Sequence, residues 1–491
     1  MSVSPSRKLP ALFGGTAIAM LAAPQSASAH GIVGKADLPI PVWLFSWAAA
    51  IVLVLSFVAL STLWRTPQLQ GGHERPLVRW QVRGRDRRER LPVLSGALGG
   101  LAGALGLGLF ALVVYSGFDG AQETNANFSV TFIYVIFWVG LPVASVLFGD
   151  VFAALSPWRA FARLLRALVR VARGGREPGT LRYPARLGQW PAAATIVGFA
   201  WLELVYVPAD RDHPATLAAL SLGYFAFSVA GMTAFGVEQW AAKGDGFGAY
   251  FNLLSRLAPL VRRDDGRQWL RRPLSGVTDL PIGAGTLALI CTIIGTTTFD
   301  GFSNGGIWRN NEPTIEGWFS GLGFSATPSI ELAYSLGLVL CIVLIAVVYR
   351  VGILGVRTVN RSHSVSELSA RFAHTLVPIG FAYVLAHYFS LLLWQGQAMW
   401  YLISDPLGDG SNVFGTAGYQ IDYHVISYAA IWYVQVGALL LGHVGGLALA
   451  HDRALTIYGE PEEAVRSQYW MLAVMVAFTS FGLWLLSSVG T

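Results

Sequence analysis

Long apolar runs separated by polar connections set the pattern of this chain. Runs near the roughly 20 apolar residues that an α-helix needs to cross a bilayer recur close to 43–64, 91–116, 128–152, 190–207, 215–240, 281–299, 330–349, 372–394, 424–449 and 468–488. The pattern predicts an all-α, polytopic bundle of about ten transmembrane helices, the fourth of them short. Residues 30–491 read as one polytopic transmembrane domain, preceded by a segment of a different kind.

That segment, 1–29, has the three parts of a cleavable signal peptide. Arg7 and Lys8 form a short basic region, Leu9 to Ala23 is apolar but too short to span, and Ser26-Ala27-Ser28-Ala29 fits a small-x-small cleavage site. Cutting after Ala29 would leave His30 as the first residue.

Composition agrees with lipid as the main solvent. The chain is 54% hydrophobic and 13% charged, with a mean hydropathy of +0.52, whereas soluble domains carry about a quarter charged residues. The pI near 9.3 could point to nucleic acid, but the distribution of the basic residues assigns it to topology instead. Of the 34 Lys and Arg, 29 fall in 65–90, 153–189, 241–280, 350–371 and 450–467, the segments that follow odd-numbered helices. The alternate segments hold only Lys35, Arg211 and Arg309. The positive-inside rule places the first group in the cytoplasm, with His30 and Thr491 outside a bacterial plasma membrane. The arginine-dense stretch Arg83 to Arg90 and the amphipathic segment Pro157 to Arg173 are expected to meet anionic lipid headgroups. No stacking aromatics alternate with the arginines of the first, so no nucleic-acid partner is expected.

The second and sixth apolar runs both end in Phe-Asp-Gly, at Phe118-Asp119-Gly120 and Phe299-Asp300-Gly301. The echo suggests two related halves, 91–240 and 281–449, as in folds built from repeats; otherwise each Asp-Gly is simple turn chemistry. Ionisable residues at membrane depth are costly and default to functional candidates. On that ground Asp119, Asp300 and Glu203 are the candidate catalytic acids.

The last third concentrates histidine. His374 and His387 lie on the eighth run, His424 and His443 on the ninth, giving an outer pair (His387, His424) and an inner pair (His374, His443). Two such layers could hold haem b, with Gly442, Gly445 and Gly446 leaving room for a flat cofactor. The phase is imperfect, because 13 residues leave the imidazoles about 140° apart around the axis unless Pro378 bends it. The bland alternative is interhelical hydrogen bonding or proton handling. A divalent metal or copper site is a further possibility, drawn from His30 with His387, His424 and Asp422; a terminal histidine offers both its amine and its imidazole to copper. Cys291 and Cys341 form no CxxC, and no nucleotide loop, Gly-x-Ser-x-Gly elbow or His-Glu-x-x-His is present.

Several stretches together carry a family likeness: His30 to Pro41 followed by Trp43-Leu44-Phe45, Leu147-Phe148-Gly149-Asp150-Val151-Phe152 with Ser156-Pro157-Trp158-Arg159, and the helix from His374 to His387. Over most of its length the chain resembles bacterial integral membrane proteins, common in actinobacteria, that go under the name fenitrothion hydrolase. The resemblance implies hydrolysis of an organophosphorus triester to a nitrophenol and a dialkyl thiophosphate, and it implies no residue roles. Three functions stand open at this point. They are a phosphotriester hydrolase with a metal-assisted site near the outer face, a redox or metal- or haem-binding protein, and a secondary transporter. A small apolar substrate could reach the first sideways from the bilayer.

Overall fold

The computed structural model describes residues 42–70, 74–76, 87–207, 212–262 and 268–488. The signal segment 1–29, His30 and Arg83 to Asp86 lie outside them. Fourteen helices matter here: α1 (Val42–Leu63), α2 (Arg87–Asp119), α3 (Phe128–Phe148), α4 (Pro157–Ala172), α5 (Trp190–Leu204), α6 (Pro214–Phe235), α7 (Gly246–Ser255), α8 (Thr286–Ser303), α9 (Gly306–Gly321), α10 (Ala326–Val359), α11 (Val365–Phe372), α12 (Leu376–Gln395), α13 (Tyr428–Tyr458) and α14 (Tyr469–Ser488). Among the described residues nine helical spans are long and apolar enough to cross a membrane, and α5 is a shorter tenth. The chain is an all-α polytopic bundle.

Helix limits follow local chemistry. Asn127 opens α3 by accepting from Ser129 N at 2.9 Å, while its amide donates to Ser116 O and Ala121 O and so fixes the turn from α2. Gly149, at φ +91°, closes α3 with a backbone that a residue bearing a Cβ rarely adopts. Ser156 and Pro157 start α4 as N-cap and first helical residue. On its apolar face Leu164 and Leu168 are exposed, and Phe161 packs in part against Phe225 of α6 with ring centroids 5.3 Å apart.

The bundle wears its apolar surface outward. Trp47, Leu55, Leu101, Leu105 and Val343 on α1, α2 and α10 are all exposed, as a lipid-facing surface requires. α8 is the enclosed element, with 78% of its apolar window buried. It carries Thr296, Thr297 and Thr298, whose hydroxyls are satisfied within the helix by donation to Ile293 O and Ile294 O. α12 and α13 pack closely against each other. A Cβ built on Gly442 would lie 2.2 Å from Ala382 Cβ and 2.8 Å from Pro378 O, and one on Gly446 2.9 Å from Thr375 O. Small residues let these backbones touch.

Three differences from the apolar-run reading have physical causes. The segment between α8 and α10 holds a helix of its own, α9, rather than a bare loop. The eighth run is broken by a 3₁₀ turn at Ala373–Thr375, ahead of Pro378. The ninth helix continues to Tyr458, because buried Asp452 accepts from Trp64 Nε1, Gln68 N, Leu69 N and Gln70 Nε2 and so seats the end of α1 on α13.

The five basic segments meet one another. A small antiparallel sheet, ordered β1 (Glu74–Pro76), β3 (Gln268–Arg271), β2 (Leu260–Arg262), joins 65–90 to 241–280. Trp158 Nε1 donates to Asp245 Oδ2 at 2.7 Å, Gln70 reaches Asp452, and Asn360 pairs with Glu463. At the opposite end Ala121 N donates to Leu407 O, Tyr401 OH to Asn125 O and Val207 N to Glu331. The described parts of these five connections therefore gather at one end of the bundle.

Candidate functional site

Asp300 lies one turn from the end of α8 and has no solvent exposure. Its Oδ2 accepts a hydrogen bond from the Tyr388 hydroxyl at 2.7 Å and lies 2.9 Å from His387 Nε2. His387 and Tyr388 are consecutive on α12, so they straddle the carboxylate from adjacent directions, with ring centroids 4.7 Å apart and planes at 82°. Asn304, one turn on, donates to Asp300 O at 2.8 Å and approaches Oδ1 at 3.5 Å. Gly301 keeps the contact close: a Cβ there would stand 3.3 Å from Leu485 on α14 and 3.6 Å from His387 Cε1.

Two further helices enclose the group. Glu203, half-buried near the end of α5, is close enough to Tyr388 for electrostatic interaction, and the Trp138 indole lies beside the same tyrosine. Trp138 sits in a stretch of α3, Phe132–Gly140, that is wound as a π-helix. Such stretches are rare and concentrate at functional positions. This one packs against α12.

On its other side the π-helical stretch forms the wall of a cavity of about 530 Å³ between α2, α3, α5 and α6. Phe110, Ile136, Phe137, Phe199 and Leu217 line it. On α3 and α5 the wall residues Phe137 and Leu202 are followed directly by Trp138 and Glu203, which lie beside Tyr388 of the Asp300 centre. At the cavity's end toward the basic connections stand Trp158 and Tyr224, both donating to the buried carboxylate of Asp245, at 2.7 and 2.6 Å. Burial pushes the Asp245 carboxyl above its ordinary value against the pull of the two donors.

The remaining candidates are dispersed. Asp119 is exposed at the end of α2, beside Tyr115, and takes no part in the Asp300 centre. The two Phe-Asp-Gly triplets thus occupy different environments: Phe299 is fully buried, whereas Phe118 is 51% exposed. His424 and Asp422 share an exposed turn before α13, where Asp422 Oδ1 accepts from His424 N at 2.8 Å. His387 is instead buried against Asp300. His443 is buried on α13, its Nδ1 donating to Leu439 O at 2.8 Å, and His374 is buried in the 3₁₀ turn. The glycines around His443 give their space to α12 and leave none for a macrocycle. Among the described residues no group of three or more His, Cys, Asp or Glu could hold a metal ion; His30 is outside that set.

Asp300 and Glu203, expected as catalytic acids, and His387, expected as a cofactor or metal ligand, lie in this one region; Tyr388, Trp138 and Asp245 carry no such expectation from the sequence. For Tyr388 a signal existed: a phenol next to a histidine at membrane depth needs a polar partner. The chain matches no family model, no curated protein and no solved structure.

Proposed function

We propose that this multipass protein handles protons at the Asp300–His387–Tyr388 centre and couples them to the movement of a small, uncharged, lipid-soluble molecule held in the neighbouring cavity. The observation that supports it most is a carboxylate of zero exposure held by an imidazole and a phenol between helices at lipid depth. With neutral imidazole and ionised Asp300 the pair carries one negative charge; one added proton, taken by the carboxylate, makes it net neutral. In a low-dielectric interior that difference is large. Gain or loss of a single proton would therefore change which helix arrangement is favoured, as coupling requires. Arginine-rich connections in the cytoplasm, by the positive-inside rule, set the direction.

The apolar, aromatic wall of the 530 Å³ cavity suits an uncharged guest arriving from the bilayer, and pockets of this size suit small molecules. A second reading uses the same parts. An imidazole steered by a carboxylate is the arrangement of a general base, and the cavity would accept the organophosphorus triester that the family resemblance implies. In that case His387 takes a proton from water as the water oxygen attacks phosphorus and the nitrophenolate leaves.

Proteoliposomes loaded with a pH-sensitive dye separate the readings. Proton coupling predicts acidification on an imposed pH gradient that Asp300→Asn and His387→Gln abolish. Wild-type flux no faster than protein-free vesicles would reject it. Release of nitrophenol from a nitrophenyl triester, lost in His387→Gln, would favour the hydrolase.

A further inference from the structure

Along α12, the 3₁₀ turn that leads into it and the paired helix α13, several buried polar atoms have no protein partner: Ser390 Oγ, both side-chain atoms of Gln435, His443 Nε2, Thr375 Oγ1 and His374 Nε2. All five residues are at most 2% exposed. Each such atom costs about 1–3 kcal/mol if left unbonded, and lipid offers it nothing. Their order along the helices is also informative. Ser390 lies one turn outward of His387; Tyr383 lies one turn inward, its ring facing His443 with centroids 6.1 Å apart. His374 lies about 20 Å inward of His387 at helical rise, within electrostatic reach of Arg453. Arg453 in turn donates to Thr278 O among the basic connections. Phe478 of α14 packs on the same His443 ring, with centroids 6.1 Å apart.

We propose that this interface is a hydrated relay, in which internal water bonded to Ser390, Gln435, His443, Thr375 and His374 carries protons between the Asp300 centre and the Arg453 end of the bundle. The inference deepens the proton-handling reading and rests on it. Water both donates and accepts, so one molecule can serve two of these atoms. Because His443 Nδ1 donates to Leu439 O, its Nε2 bears the lone pair that accepts from water. A proton taken there returns to the water file through the same nitrogen, and no bond other than N–H and O–H is made or broken.

Thiol accessibility tests it. In full-length protein with Cys291→Ala and Cys341→Ala, single substitutions Thr375→Cys, Ser390→Cys and Gln435→Cys are exposed to a small cationic methanethiosulfonate in inside-out vesicles. Leu391→Cys, in the apolar core of α12, is the control. The relay predicts reaction roughly tenfold faster than the control at two or more of the three, since the reactive thiolate forms only where water reaches. Control-like rates at two or all three would overturn it. Adding Asp300→Asn should leave these rates unchanged while abolishing proton flux. Fast thiols without flux would therefore sink the function and spare the water path; flux with control-like thiols would do the reverse.

Discussion

Asp300 is the residue on which the proposed chemistry turns, and its surroundings make specific demands. Tyr388→Phe removes one donor to Oδ2 while keeping the ring, and should lower stability by about 1 kcal/mol, read as a reduced melting temperature in detergent. Asp300→Asn keeps the shape but strands a buried amide against His387, costing about 1–3 kcal/mol. Asp119→Asn, at an exposed helix end, should leave both stability and proton flux unchanged. Glu238 gives a prediction in pH. Burial works to raise its carboxyl, but Arg163 and Arg159 outweigh this and hold it below the usual range. Its contribution is therefore present above the unfolded value, about 4.3, and is lost as pH falls through the lower folded value. Glu238→Gln should shrink the loss of melting temperature between neutral and strongly acid pH, and an unchanged acid limb would contradict the pairing. The effect is modest because the side chain is 66% exposed.

Among the elements, the seam of α12 and α13 is the most tightly specified. Gly442→Ala would drive a methyl group into Ala382 and Pro378 O, and overpacking of that kind costs about 1–3 kcal/mol. Gly437→Ala, on the same helix with open space around it, should be neutral or slightly stabilising. Equal melting temperatures for the two variants would refute the close approach. Much of this level was legible in the chain: apolar runs of spanning length mark their helices whatever the neighbours are, so even the short α5 could be read. What could not be read was partnership. His387 looked as fit to face His424 as Asp300, because spacing fixes a residue's depth on its helix but not which helix stands opposite. The glycines near His443 read equally as room for a cofactor or for a helix, and only the packing of α12 decides. The π-helical stretch of α3 leaves no local mark in its apolar sequence, so Trp138 could not be placed.

At the scale of the whole molecule, the shared face of the five basic segments ties topology to function. A cytoplasmic reporter fused after residue 175 should be active and an exported one silent, with the opposite result after residue 320. Given that frame, α8 stands enclosed at the centre, with its carboxylate toward the outer end and the histidines of α12 and α13 leading toward the basic face. The central claim is that the intact bundle takes up and releases a proton at Asp300. Infrared difference spectroscopy of the reconstituted protein across a pH titration reads this directly. A carboxylic-acid carbonyl band should grow on acidification, shift in heavy water and vanish in Asp300→Asn. A titration spectrum identical in wild type and Asp300→Asn would contradict it.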